Sequence, residues 1–166
     1  MPYQTNKDLR NSINAGMISY HDVPLGQMPV WVKNNFLKHI DVAIIEAAAI
    51  DENGNIIPTT SVGTSNIYAE YADKIIIEVN TYVPRCIEGI HDVYSPVRPP
   101  HTQPIPITKV SDRIGTPYIK CDPAKVVAVV ESNIPDNGRT VSPVDDEFRS
   151  MANNLIGFLH SEVEHG

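Results

Sequence analysis

The run Asp41-Val-Ala-Ile-Ile-Glu-Ala-Ala-Ala-Ile50 constrains this chain more than any other stretch. A continuous apolar run bounded by turn residues suits a strand buried on both faces of a parallel sheet. Asp51-Glu-Asn-Gly54 supplies a turn ending in Asn-Gly, and Asn55 to Thr60 is expected to return as a short strand. A helical stretch over Thr64 to Ala72 then leads to a second buried strand, Lys74-Ile-Ile-Ile-Glu-Val79. Tyr118-Ile119 and the run Val126 to Val130 complete the strands.

Helices are expected at three further places. Asn6 to Gly16 puts Leu9 and Ile13 on one face and a glycine at its end. Met28 to Leu37 has Pro29 in its first turn and Val30, Trp31 and Phe36 as core contacts. The terminal helix is capped by Ser142, starts at Pro143, and carries Asp145, Asp146 and Glu147 at the positive end of its dipole. Val144, Phe148, Met151, Leu155, Leu159 and Val163 form one apolar stripe for docking on a sheet. Strands alternating with helices predict an α/β fold, a mostly parallel sheet flanked by helices, in a single domain over residues 1–166.

Fourteen prolines punctuate the chain, and six of them fall between Pro84 and Pro106. Proline fixes φ and donates no hydrogen bond, so residues 81–117 read as a long, extended crossing. Ile87, Ile90, Val93, Tyr94, Val97, Ile105 and Ile107 provide side chains to pin it to a surface, which favours a pinned loop over a disordered linker.

With 42% hydrophobic and 20% charged residues the composition is globular. A net charge of -7 disfavours a nucleic-acid surface, though a local pocket can still take an anionic ligand. Cys86 and Cys121 sit in no CxxC and read as reduced thiols. The six histidines show no HExxH or HxH spacing, so no metal site is expected. No apolar run approaches the ~18 residues of a membrane span, and no signal peptide opens the chain. A cytoplasmic, soluble protein is expected.

Chemistry is best placed at the strand ends. Pro58-Thr-Thr-Ser-Val-Gly-Thr-Ser-Asn66 is a turn of small hydroxyl residues around one glycine, able to present N–H groups to an anion or a polarised carbonyl. An ordinary strand-to-helix turn looks the same. Glu46 stands in the middle of an apolar strand, where an unpartnered carboxylate is costly to bury, so it either lines a cleft or makes a structural bond. Asn80 closes the second strand, at a sheet end where ligands gather, or simply terminates that strand at the surface. No GxxxxGK[ST], GxGxxG or GxSxG occurs. Adjacent residues point apart in most conformations, so His91-Asp92 is a poor candidate for an oriented base.

These stretches resemble the acetyl-CoA hydrolase/transferase family, which includes succinyl-CoA:CoA, acetate and butyrate-type CoA-transferases. The resemblance is carried by Pro2-Tyr-Gln-Thr-Asn6, Ile40 to Ile50, Ile57-Pro-Thr-Thr-Ser-Val-Gly63 and Lys74 to Asn80. Glu88-Gly89, Pro104-Ile-Pro-Ile107, Asp112-Arg-Ile-Gly-Thr116, Asp122-Pro-Ala-Lys125 and Asn154 to Leu159 extend it to Glu164. Where relatives tend to carry arginines before Pro-Ile-Pro-Ile, this chain has His101, Thr102 and Gln103.

The resemblance implies the later part of the first lobe of a two-lobe fold, with the active site between the lobes. It also implies a reaction in which a glutamate attacks an acyl-CoA thioester, with coenzyme A as substrate and no separate cofactor. That glutamate belongs to a motif like Tyr-Thr-Glu-Val-Ile-Gln-Asp, which is absent here, so no catalytic residue is assigned and this chain alone is expected to be inactive. Glu46 and Thr60, Ser61, Val62, Gly63, Thr64, Ser65 and Asn66 become candidates to line the acyl pocket, with Asn80 beside them. The partners implied are a small acyl-CoA, a carboxylate, and either the missing C-terminal lobe or further copies of the chain through unpaired strand edges. Completion by a second chain, and a non-catalytic CoA-binding domain, are the alternatives.

Overall fold

A computed structural model describes residues 7–98, 100–136 and 143–165. The chain divides into two compact units, Met1–Asp136 and Asn137–Gly166. Strands β1 (Val42–Ile50), β2 (Ile56–Pro58), β3 (Lys74–Asn80) and β4 (Val126–Ser132) form one sheet in the order β2-β1-β3-β4. β1, β3 and β4 are parallel, and β2 pairs antiparallel to β1. Helices α1 (Lys7–Asn14), α2 (Met28–Lys33) and α3 (Ser65–Tyr71) belong to the same unit. The expected α/β architecture with a mostly parallel sheet is what the chain adopts.

The core follows from the β1–β3 register. Ala43 pairs with Ile75, Ile45 with Ile77 and Ala47 with Val79, so one face of the sheet alternates small and branched side chains. Ala69 and Ala72 from α3 and its C-terminal boundary pack there with Ile56 and Ile119. Alanine on both layers lets helix and sheet approach closely, and the isoleucines fill the gaps between them.

Burial of β1 on both faces holds only for part of the strand. Val42, Ile44 and Glu46 are exposed on the face opposite the core, Ile44 by 70%. Only from Ala47 to Ala49 does burial become continuous. A register shift between Ala47 and Ala49 marks this point, and Ile57 and Ile87 cover Ala48 and Ala49. Among the described residues α3 covers one face, so the early part of β1 alternates as a half-covered strand does.

Other boundaries shift for local reasons. α2 ends at Lys33 and Phe36 is exposed, while Met28 and Val32 are buried and Val30 and Trp31 half-buried. The β1–β2 turn closes on Asp51, whose carboxylate accepts from the Asn53 N–H (2.9 Å), the Asn55 N–H (2.8 Å) and the Asn55 amide (2.9 Å). The hydrogen bond from the Asn55 side chain, helped by these backbone donors, holds the Asp51 pKa below its ordinary value.

Between β3 and β4 the crossing is fastened at both limbs. The Lys33 ammonium donates to the Pro96 carbonyl (2.7 Å), and Val93 and Thr116 form an isolated bridge. Asp92 accepts from the Gly115 N–H (2.6 Å) and the Ile114 N–H (3.2 Å). Ile87 is buried and Val93 and Tyr94 half-buried, whereas Ile90, Val97, Ile105 and Ile107 are exposed.

The second unit contains α4 (Asp146–His165), a 20-residue helix. The expected cap, Ser142, lies outside the described residues. Pro143 precedes the helix, and Asp145 caps it by accepting from the Phe148 N–H (2.8 Å). Phe148, Met151, Leu155 and Leu159 stand exposed. Among the described residues no helix is long and apolar enough to cross a membrane.

A Cβ added at Gly115 would overlap the Val93 carbonyl oxygen, whereas one at Gly63 meets nothing within 4 Å and faces only a φ of +54°. Gly115→Ala is therefore expected to cost about 1–3 kcal/mol in urea unfolding, and more than Gly63→Ala. Equal losses would show that the two crossing limbs are not held in this close approach.

Candidate functional site

The C-terminal ends of β1 and β3 meet the segment that follows β2, and a cavity of about 190 Å³ opens between them. Glu46, Thr59, Thr60, Ser61, Tyr82 and Asp136 supply its polar or aromatic lining. The position follows from the fold, because parallel strands leave a crevice at their carboxyl ends.

Glu46 is exposed, so its carboxylate avoids the burial cost that its place in the strand suggested. Its two oxygens are nonetheless fixed. Oε1 accepts from the Asn80 amide at 2.8 Å, and Oε2 accepts from the Thr59 hydroxyl at a longer 3.4 Å. Thr60 donates its hydroxyl to Asp136 Oδ2 at 3.1 Å, across the same cavity.

Asn80 organises this end of the sheet from within. It is 3% exposed rather than a surface terminator of β3. Its amide donates to Glu46 and to the Ile134 carbonyl (2.8 Å), while its Oδ1 accepts from the Tyr82 N–H (3.1 Å) and the Ile134 N–H (3.2 Å). Both donors and both acceptor positions of the side chain are used. Residues from β1, β3 and the stretch after β4 thus converge on one amide.

The remaining candidates lead away from the cavity. Val62 packs half-buried against the core. Gly63 adopts its left-handed conformation, and the Ser65 N–H closes the turn on the Val62 carbonyl (3.1 Å). Thr64 caps α3 with its backbone carbonyl and not with its side chain. Asn66 donates to the Tyr94 carbonyl (3.2 Å) and to Ser95 (3.0 Å), fastening the crossing. It borders a separate cleft of about 680 Å³ that is also lined by Tyr94, Tyr118 and Lys120. The hydroxyl turn is therefore split: Thr60 and Ser61 face the Glu46 cavity, and Asn66 faces elsewhere.

Sequence reasoning missed Asp136 and Tyr82, and it marked Thr59 only as part of the Pro58–Asn66 turn. Nothing local marks Asp136, which reaches the cavity only through the sheet. The one cluster of potential metal ligands among the described residues, His39, Asp41 and Asp73, is exposed and lies at the opposite, N-terminal ends of β1 and β3. Its His39–Asp73 hydrogen bond (2.8 Å), then the charge of that carboxylate, raises the imidazole pKa.

Replacing Asn80 tests the convergence. Asn80→Ala removes four hydrogen bonds from a buried position and is expected to cost about 1–3 kcal/mol. Asn80→Asp sets a second carboxylate against Glu46, raising the new group's pKa in the folded state above its unfolded value of about 3.9. Its penalty is then full above the folded pKa and absent below the unfolded one, so urea stability should fall as pH rises from about 4 to 7. A flat profile would mean that Asn80 does not face the Glu46 carboxylate.

Residues 1–131 match the model of the acetyl-CoA hydrolase/transferase N-terminal domain. The chain is 43% identical to a succinyl-CoA:acetate CoA-transferase of Clostridium kluyveri over 100% of its own length and 31% of that protein. It is 43% identical to an acetyl-CoA hydrolase of Schizosaccharomyces pombe over 99% of its length and 33% of that protein. A propanoyl-CoA:succinate CoA transferase of Escherichia coli is 37% identical, with coverages of 99% and 34%. The chain thus spans about a third of the length of these relatives. Among solved structures, RipA from Yersinia pestis superposes with a TM-score of 0.52 at 19% identity, covering 87% of this chain and 27% of that one, a likeness of fold. Family model and relatives agree with the residues that carried the resemblance, and the chain belongs to the acetyl-CoA hydrolase/transferase family.

Proposed function

We propose that this chain supplies the wall of an acyl pocket in an acyl-CoA:carboxylate CoA-transferase or acetyl-CoA hydrolase, and that the attacking carboxylate comes from elsewhere. The observation that carries this reading is the gathering of Glu46, Thr60 and Ser61 around one cavity at the carboxyl ends of parallel strands, in a chain of this family.

Size and charge narrow the role. At about 190 Å³ the cavity is smaller than the roughly 300–1,000 Å³ of pockets that enclose drug-sized ligands. It suits a short acyl group and leaves the bulk of coenzyme A outside. Among the described residues Glu46 and Asp136 are its only charged lining residues, so a free carboxylate anion is repelled there. A neutral acyl thioester end, approached by the Thr60 and Ser61 hydroxyls, fits better. The exposed Glu46 is held by Asn80 and Thr59 as part of the wall.

In the proposed reaction a glutamate outside this chain attacks the thioester carbonyl and expels CoA thiolate, giving an acyl-glutamyl anhydride. The thiolate then attacks the glutamyl carbonyl, forming a glutamyl-CoA thioester and releasing the first carboxylate. An acceptor acid reverses these steps to make the new acyl-CoA, and water in its place gives hydrolysis.

The purified chain is expected to bind acetyl-CoA, with NMR shifts at Thr60 and Ser61, and to cleave none of it. Thr60→Val and Ser61→Ala should each weaken binding by about 0.5–1.5 kcal/mol. Unmoved Thr60 and Ser61 signals at millimolar acetyl-CoA overturn the pocket assignment. Labelled acyl groups attached to any glutamate of this chain overturn the external nucleophile.

A further inference from the structure

Thr59 joins β2 to the residues that line the Glu46 cavity. It lies one residue beyond β2, is 3% exposed, and is followed directly by Thr60 and Ser61. Its hydroxyl reaches Glu46, while its buried carbonyl needs a donor from some other part of the chain. His91 provides it: the ring Nε2 lies 2.8 Å from the Thr59 carbonyl oxygen. A carbonyl only accepts, so Nε2 carries the proton. Nδ1 is buried without a partner, which leaves the Thr59 bond as the ring's one hydrogen bond among the described residues.

His91 is itself held. The Arg113 guanidinium donates through Nη1 to the carbonyls of His91 (3.0 Å) and Gly89 (2.9 Å). Next to it, Asp92 grips the Ile114 and Gly115 N–H groups, and Val93 bridges to Thr116. Residues 89–93 and 113–116 therefore form a clamp that carries the imidazole, although both limbs are remote in sequence from the wall they brace.

We propose that His91 is a positioning residue for the acyl-pocket wall Thr59–Ser61, and that Arg113 acts through it. The assignment rests on reading the Glu46 cavity as the acyl pocket. The imidazole is not itself part of the cavity lining and acts on it only through the Thr59 backbone. It sets the direction in which the chain leaves β2, and so where the Thr60 and Ser61 hydroxyls point.

Two His91 variants separate positioning from mere packing. The side-chain amide of His91→Gln can replace the Nε2–H donor, whereas His91→Phe fills the space and leaves the Thr59 carbonyl unpaired. Three quantities are read: the Thr59 carbonyl ¹³C shift without ligand, acetyl-CoA affinity, and Tm. His91→Phe is expected to move the carbonyl signal and weaken acetyl-CoA binding about ten-fold, and His91→Gln to restore most of both. A packing role alone predicts that affinity is unchanged in His91→Phe, or that His91→Gln fares no better, and either result overturns the proposal. Should His91→Phe fail to fold, Arg113→Ala is expected to move the same carbonyl signal, and an unmoved signal overturns it. If wild type shows no response to acetyl-CoA, the pocket reading fails alone, because the ligand-free Thr59 signal still decides whether His91 sets the wall.

Discussion

Parallel pairing of β1 with β3 is the constraint from which the rest follows. It places alanines of one strand beside isoleucines of the other, which creates the core face that α3 covers. The same register sets Glu46 beside Glu78 on the opposite face, two residues before Asn80 ends the strand. Two neighbouring carboxylates repel each other, and the Asn80 amide relieves one of them by donating to Glu46 at 2.8 Å. A shift of one residue would send the apolar set to the open face and break this contact.

Asn80 and His91 do related work at different depths. Asn80 ties three chain segments together with four hydrogen bonds at the sheet's carboxyl end. His91 uses a single bond to fix the segment leaving β2. Between them they fix both sides of a small cavity whose lining hydroxyls are otherwise on exposed loop residues. The long crossing contributes through its clamp of Arg113, Asp92 and Gly115, which is remote in sequence from the segment that follows β2.

The apolar side chains left uncovered stand in contrast. Ile44 on β1 and Val127, Val129 and Val130 on the edge strand β4 are largely exposed, as are the apolar residues of α4. These side chains have the character of residues that are normally covered. The chain spans about a third of its relatives' length.

Local chemistry settled a good deal without any coordinates. The apolar runs at 41–50 and 74–79, the Asn-Gly turn and the apolar spacing of the last helix act within a few residues, so the element order and the α/β class could be read from the chain itself. The family was legible too, because ordered motifs survive as text. Which face of β1 lies open depends on what packs there, and so Glu46 was expected to be buried and is exposed. Asn80 reads from sequence either as a site residue at the sheet end or as a surface terminator, and its burial depends on Glu46 and Ile134, which are distant in sequence. Asp136 joining Thr60, and His91 reaching Thr59, carry no local signature either. Such contacts exist only once the sheet has brought separate strand ends together, and hydrogen bonding across that distance is what the tertiary structure alone decides.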